Sequence, residues 1–259
     1  KTAYPQGVQA KEFILPKELL EQDCVISLSK MKTHALERIT GAVKNSYGFV
    51  YGFHKAKGHT QYPSADSFAR MLIDLNKCVA PKLYVMDGIV AMEGNGPGSG
   101  DPVPMNVLLM STDPVALDSV FSRLVYLKPE MVPTNYHGEK MGLGTWKEEE
   151  ITLLTPDGEI SMAEAVKKYG NPAFNVDRTE VRKNIWIRMA GALNIFQKKP
   201  YIEADKCVRC GICVQSCPVP GKAVDFRKGK GKSPVYDYRK CIRCFCCQEM
   251  CPKKAIKVK

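Results

Sequence analysis

Nine of the chain's eleven cysteines fall within its last 53 residues, and eight of these form two copies of one spacing. The first copy reads Cys207-x2-Cys210-x2-Cys213-x3-Cys217-Pro218 and the second Cys241-x2-Cys244-x2-Cys247-x3-Cys251-Pro252. Triplets this close in sequence do not easily pair among themselves, which weighs against a disulfide scaffold. A zinc site prefers pairs of Cys-x2-Cys, whereas each half here offers three cysteines and a more distant fourth. Ala223-Val224 and Ala255-Ile256 follow the two prolines at nearly matching offsets, as expected of an internal duplication. The halves differ at Cys246, which stands where the first half has Ile212. Cys246 reads as a bystander, the alternative being ligand exchange under oxidative damage.

The duplicated run resembles the two-cluster ferredoxins of bacteria, where three thiolates wrap one iron–sulfur cube and the fourth, before a proline, reaches the other. The resemblance implies two 4Fe-4S clusters with crossed ligation. Cys207, Cys210, Cys213 and Cys251 would hold the first, and Cys241, Cys244, Cys247 and Cys217 the second. Such a module transfers single electrons.

At 259 residues, 44% hydrophobic and 25% charged, the chain is long enough for one sizeable domain beside the small cluster domain. No apolar stretch approaches the roughly 20 residues that span a bilayer, and no secretory signal opens the chain. Oxygen-labile clusters and free thiols ask for a reducing compartment, so a cytoplasmic protein is the expectation. The formal charge of +11 is concentrated at the C-terminus, where residues 201–259 carry 14 Lys and Arg against 5 Asp and Glu. Part of the excess, Arg227-Lys228-Gly229-Lys230-Gly231-Lys232, reads as a hairpin tip. It is either a solvated loop or a patch that steers an acidic redox partner. No aromatic-interleaved or helix-borne reading surface accompanies it, so nucleic acid is not the expected partner.

Ahead of the cysteines, strands alternate with helices, which predicts an α/β layer arrangement; for the cluster module the resemblance to two-cluster ferredoxins implies a small α+β domain. The expected domains are 1–170, an α/β unit; 171–199, a linker and tether helix; and 200–259, the cluster domain. Within the first, Asp23–Leu28 reads as a buried strand, Ile39–Val50 and Ser64–Val79 as helices, and Lys82–Met86 and Asn106–Ser111 as strands. In the second helix Phe68, Leu72, Leu75 and Val79 recur at helical steps and should face inward. Asp113-Pro114 opens a further helix, with Asp113 as its N-cap and Asp118 one turn on, facing a cleft. Cys24, in the first strand, and Cys78, at a helix end, read as buried bystanders. The tether, about Thr179–Gln197, carries an apolar stripe.

Past the first strand, Lys30, Lys32 and His34 alternate onto one face, a natural anion site at a strand end. Thr40 and Lys44 share a helix face one turn apart. Together with Asn45, Gly48, His59, Asp87-Gly88, Glu93-Gly94, Gly96-Pro97 and Asp113-Pro114-Val115-Ala116-Leu117-Asp118, this region resembles the family catalogued as domain of unknown function 362. The resemblance runs from about Phe13 to Gly144. It implies a long additional segment ahead of the Lys-Thr-His stretch, so the chain reads as a fragment or as one whose missing strands come from another chain. It brings no reaction with it.

The glycine-rich stretch Gly94–Gly100 fails the dinucleotide fingerprint, lacks the Gly-Lys-Ser/Thr of a P-loop and leads into a strand; it reads as a loop whose backbone can approach a ligand. His54 and His59 are not spaced for a shared metal, while His34 and His59 could serve as acid–base or anion-binding groups. The candidate site is therefore Lys30, Lys32, His34, Lys44, Asn45, His59, Asp87 and Glu93. Two functions remain open: an iron–sulfur oxidoreductase acting on a small anion, or a non-enzymatic carrier or assembly factor whose front domain docks a partner protein.

Overall fold

A computed structural model describes residues 1–52, 54–180 and 198–259. In chain order the front part runs β1 (Thr2–Ala3), β2 (Glu12–Phe13), α1 (Lys17–Leu20), β3 (Ile26–His34), β4 (Arg38–Thr40), α2 (Ala42–Asn45), α3 (His54–Gln61) and α4 (Ala65–Val79). It continues as β5 (Leu83–Glu93), β6 (Asp101–Ser111), α5 (Pro114–Leu124), α6 (Pro133–Lys140), β7 (Leu153–Thr155), β8 (Gly158–Ile160) and α7 (Met162–Tyr169). The central sheet has the order β4-β3-β5-β6, with β3 parallel to β5 and the two outer pairs antiparallel.

Helix α4 forms where its periodicity predicts. Ser64 caps it in a reciprocal box with Ser67, and Ala80 closes it in the left-handed region. Its inward stripe of Phe68, Leu72 and Leu75 is fully buried, each side chain contributing about 1.5–3 kcal/mol. Asp74 on the same helix accepts the backbone N–H groups of Val8, Gln9 and Ala10, which pins the chain's first residues to the domain.

The residues 39–50 do not make one helix. Lys32, Thr33 and His34 pair with β4, so the chain turns back as a hairpin before α2 starts, and α2 is followed by a 3-10 turn over Ser46–Phe49. Asp118 accounts for this break. It does not face a cleft; wholly buried, it accepts the N–H groups of Ala42 and Val43 at 2.5 and 3.1 Å and so caps α2 from the side. A Cβ on Gly41 would lie 1.9 Å from Asp118 Oδ1, hence glycine there. Burial pushes the Asp118 carboxyl up to about 7 against the pull of these two amides. Asp113 is the N-cap of α5, accepting from Val115 and Ala116.

Strand β3 also faces the opposite way from its hydrophobicity. Ser27, Ser29, Met31 and Thr33 point into the core, while Ile26 and Leu28 are 54% and 72% exposed. Registered neighbours extend that outer face, with Leu28, Val85 and Met110 in one cross-strand row and Lys30, Asp87 and Leu108 in the next. Cys24 precedes β3 and is exposed, and Cys78 in the last turn of α4 is half-buried, so neither matches the buried bystander expected.

The C-terminal module contains β9 (Pro200–Ile202), α8 (Ile212–Gln215), β10 (Val224–Asp225), β11 (Val235–Tyr236), α9 (Cys246–Glu249) and β12 (Ile256–Val258). β9 pairs with β12 and β10 with β11, so each small ribbon joins the ends of the duplicated halves. The lysine-rich stretch lies in the β10–β11 turn, with Lys228, Lys230 and Lys232 exposed. Residues 181–197 of the expected tether lie outside the described residues. Among the described residues, no helix is long and apolar enough to cross a membrane.

Asp118→Ala strands two amides in a dry core and is expected to cost about 2–4 kcal/mol, well above an average substitution. The check is the urea midpoint of anaerobically prepared protein, with Ser111→Ala on the partly exposed end of β6 as the control.

Candidate functional site

The two cysteine runs adopt the same backbone. Arg209 and Arg243, Gly211 and Phe245, and Lys222 and Lys254 occupy equivalent places in the two halves, and all six have positive φ. Phe245 holds at 59° a conformation that glycine takes in the first half, at a local cost of about 1–2 kcal/mol. Among the described residues no three His, Cys, Asp or Glu side chains converge on a single-ion site; the thiols ring two small gaps instead. Cys207, Cys210, Cys213 and Cys251 line one, and Cys217, Cys241, Cys244 and Cys247 line the other. Each gap thus draws three cysteines from one run and its fourth from the other.

The surroundings suit an iron–sulfur group. The Ala223 and Ala255 amides donate to Cys217 Sγ and Cys251 Sγ, both at 3.3 Å, repeating the duplication at the level of single hydrogen bonds. Tyr236 donates its hydroxyl to Cys247 Sγ at 3.1 Å. Burial pushes the Cys213 thiol up to about 11 and raises Cys241 as well, and a bound cation would favour their thiolate forms. Apolar Ile256 and Pro252 close the first gap, and Val224 and Phe245 the second.

The glycine-rich loop is the seat of this module. Gln248, fully buried on α9, donates its side-chain amide to the Asn95 and Gly96 carbonyls at 2.7 and 2.9 Å. Asn95 Nδ2 donates to the Ile256 carbonyl, and Lys254 Nζ to that of Gly100. A Cβ on Gly98 would stand 2.9 Å from the Glu249 carbonyl, and one on Gly96 would stand 2.2 Å from that of Thr33. Backbone does approach this loop closely, as its glycines suggest, but the approaching groups belong to the chain itself.

Beside that contact lies a cavity of about 850 Å³ between the front domain and the module. Of the candidate residues, Lys32, Lys44, Asn45 and His59 line it, with Thr40. Lys30 and Asp87 do not, being spent on each other in an exposed ion pair farther along the sheet face. Glu93 accepts the Asn175 amide at 2.7 Å and serves the loop's own structure. His34 does not line the cavity and acts on it through Glu249. Its Nδ1 accepts the Leu36 and Glu37 amides, which leaves the proton on Nε2, 3.1 Å from Glu249 Oε1.

Burial, reinforced by the Lys44 charge, holds His34 down to about 4. His59 is likewise lowered to about 4 by burial, and its ring is stacked on Phe68 at 4.4 Å. Both imidazoles are neutral near pH 7. Burial would raise Glu249, but Lys44 and the His34 hydrogen bond outweigh it and hold the carboxyl at about 2. Lys32 is lowered by burial and then by Lys44, the mark of two ammoniums facing one space. Among the described residues neither the Lys32 nor the Lys44 side chain forms an ion pair or a hydrogen bond, although Lys44 is only 9% exposed. Thr40 and His59 each hold a buried polar atom without a partner.

On the wall, Tyr47, Glu249 and Met250 escaped the sequence reading, which also took Cys246 for a bystander. A signal was present for the last three. In the duplicated module Gln248, Glu249 and Met250 replace Val214, Gln215 and Ser216, and Cys246 replaces Ile212. The half that departs from the pattern is the half whose side chains hydrogen-bond to the front domain.

The fold and thiol cradle define an iron–sulfur electron-transfer module carried by an α/β domain. Residues 1–123 match the family model described as Domain of unknown function (DUF362), and residues 199–252 match that of a 4Fe-4S dicluster domain; this chain joins the two. It is 42% identical over 130 residues to the thylakoid-associated protein sll1697 of Synechocystis sp., an alignment covering 50% of this chain and 40% of that protein. The chain thus spans about two fifths of that relative's length. No solved structure matches the chain.

Removing the Tyr236 hydroxyl takes a hydrogen bond from Cys247 Sγ, which at a cluster ligand would favour the less reduced state. Tyr236→Phe should lower one midpoint potential by about 40 mV, equivalent to ~1 kcal/mol for a one-electron couple, in an anaerobic redox titration. The histidines predict an acid response. Between about pH 6.5 and 4 the unfolded chain binds protons that His34 and His59 refuse, so stability present above 6.5 is lost as pH falls through this window. His34→Gln keeps an N–H for Glu249 but cannot titrate, and should recover about 1–2 kcal/mol of the loss between pH 7 and 5. Urea midpoints at the two pH values measure it.

Proposed function

We propose that this protein is an iron–sulfur oxidoreductase that exchanges single electrons with a small anionic ligand held in the cavity between its two parts. The observation that carries this reading is the pair Lys32 and Lys44, one half-buried and one buried, whose side chains form no ion pair or hydrogen bond, on the wall that also includes Cys217 and Cys246. Unpaired buried charge is costly, and an anionic ligand would supply the missing partner. In this reading the domains are 1–170, the tether 171–199 and the cluster domain 200–259. The eight cysteines hold two 4Fe-4S clusters in the crossed sets that line the two gaps. When bound, the clusters supply one-electron chemistry.

The chain's own residues do the rest. Lys32 and Lys44 bind and orient the anion, Thr40 and Asn45 offer it hydrogen bonds, and neutral His59 stands ready to give or take a proton. Glu249 lowers the charge of the site enough to keep it from holding any anion irreversibly. Lys55 and Lys57, at the rim on α3, draw anions in.

A second reading rests on the exposed turn bearing Lys228, Lys230 and Lys232. There the protein is a carrier, and that patch steers an acidic partner.

Two experiments test these assignments. Cys217→Ser should damage the cluster of the second run and Cys251→Ser that of the first, seen by site-resolved paramagnetic spectra; damage confined to the mutated half rejects crossed ligation. Lys44→Met and Lys32→Met should each weaken anion-dependent reoxidation of the reduced protein by roughly tenfold or more, with iron content unchanged. Loss of the three turn lysines should instead slow partner association in a salt-dependent way. If the turn dominates and Lys44 is silent, the carrier reading replaces the first.

A further inference from the structure

The cavity has two unlike poles. The front domain contributes Lys32, Lys44, Thr40 and His59, while the module contributes an apolar strip of Ile212, Pro218 and Met250 beside the polar Gln215, Ser216, Lys222 and Glu249. Met250 is a large apolar side chain 56% exposed, standing where the first half of the duplication has Ser216. An inorganic oxyanion would satisfy the first pole and leave the second bare. It would also fill a small part of about 850 Å³, a volume within the range of sites for organic ligands of drug size. The buried, unpartnered atoms of Thr40 and His59 are a separate sign that the cationic pole awaits hydrogen bonds. Among the described residues no arginine lines the cavity, so its head-group recognition there relies on point charges and not on a planar fork.

We infer that the cavity takes an organic acid, its carboxylate or phosphate head between Lys32 and Lys44 and its apolar body against Ile212, Pro218 and Met250. This assignment rests on the reading above that the ligand occupies this cavity, and it names the ligand's class. The body then lies along the wall that includes Cys217, a cysteine of the second gap.

The test uses anaerobic, cluster-loaded protein and calorimetry with defined probes: benzoate, 3-phenylpropionate and 5-phenylpentanoate, with acetate, inorganic phosphate and 5-phenylpentan-1-ol as controls. Affinity should rise by about fourfold per buried methylene along the acids, and the alcohol should bind at least tenfold more weakly than its acid. Lys44→Met, or Lys32→Met if the first variant loses iron, should remove the difference between acid and alcohol. Met250→Gln should flatten the dependence on chain length and leave acetate unaffected. Acetate or phosphate binding as tightly as 5-phenylpentanoate would show an adventitious ion only and overturn the assignment, as would equal binding of the alcohol. The two readings fail separately. If the acids bind as expected but leave the reduced clusters' spectrum and reoxidation unchanged, electron exchange with the ligand is wrong and the organic-acid site stands. If inorganic anions alone alter reoxidation, the class assignment is wrong and the redox reading stands.

Discussion

Everything between the two halves of this protein depends on one buried side chain, Gln248, whose amide nitrogen reaches two carbonyls of the Gly94–Gly100 loop. Carbonyls in a loop normally turn to water. Here they are met by a donor carried on α9, between the third and fourth cysteines of the second run. The loop must be almost free of side chains for that helix to come so near, which is why glycine stands at 98, while glycine at 96 leaves room for the Thr33 carbonyl. The contact fixes Glu249 against His34 and sets the cavity's two walls a constant distance apart. Electron transfer requires such constancy.

The electrostatics of the cavity follow from the same contact. His34 spends Nδ1 on two backbone amides and is left with one proton, on the nitrogen facing Glu249. That carboxylate is then the counter-charge nearest to Lys44 in influence, yet it is too distant to form an ion pair with it. The result is a site with net positive potential that is moderated but not cancelled. A direct Lys44–Glu249 pair would have closed it to anions.

Much of this was legible in the sequence because iron–sulfur ligation and helix periodicity both repeat at fixed intervals. The spacing of the eight cysteines, the stripe of α4 and the cap at Asp113 are local patterns, and the structure reproduces them. What sequence order could not supply was the partner of each polar group. Lys30 and Lys32 look equivalent along the strand, but Lys30 faces Asp87 across the parallel pair, and the pairing register shifts before Lys32. Asp118 looks like a cleft residue one turn past a cap, until β6 and α5 carry it under α2. The inward serines of β3 reverse the usual reading of a strand because its outer face bears Ile26 and Leu28. The function of the glycine loop was hidden for the same reason, since its occupant lies some 150 residues later in the chain.

Gln248 and Glu249 owe their place to the cysteines on either side, and this gives the arrangement a property beyond geometry. In the proposed crossed sets iron would hold Cys247 and Cys251 in position, and the helix between them would be braced by the same bonds that carry the electrons. A chain stripped of its clusters would lose one wall of the cavity together with its redox centre. Oxygen damage would then leave no half-working form that binds ligand without being able to act on it; competence to bind and competence to react would begin and end together.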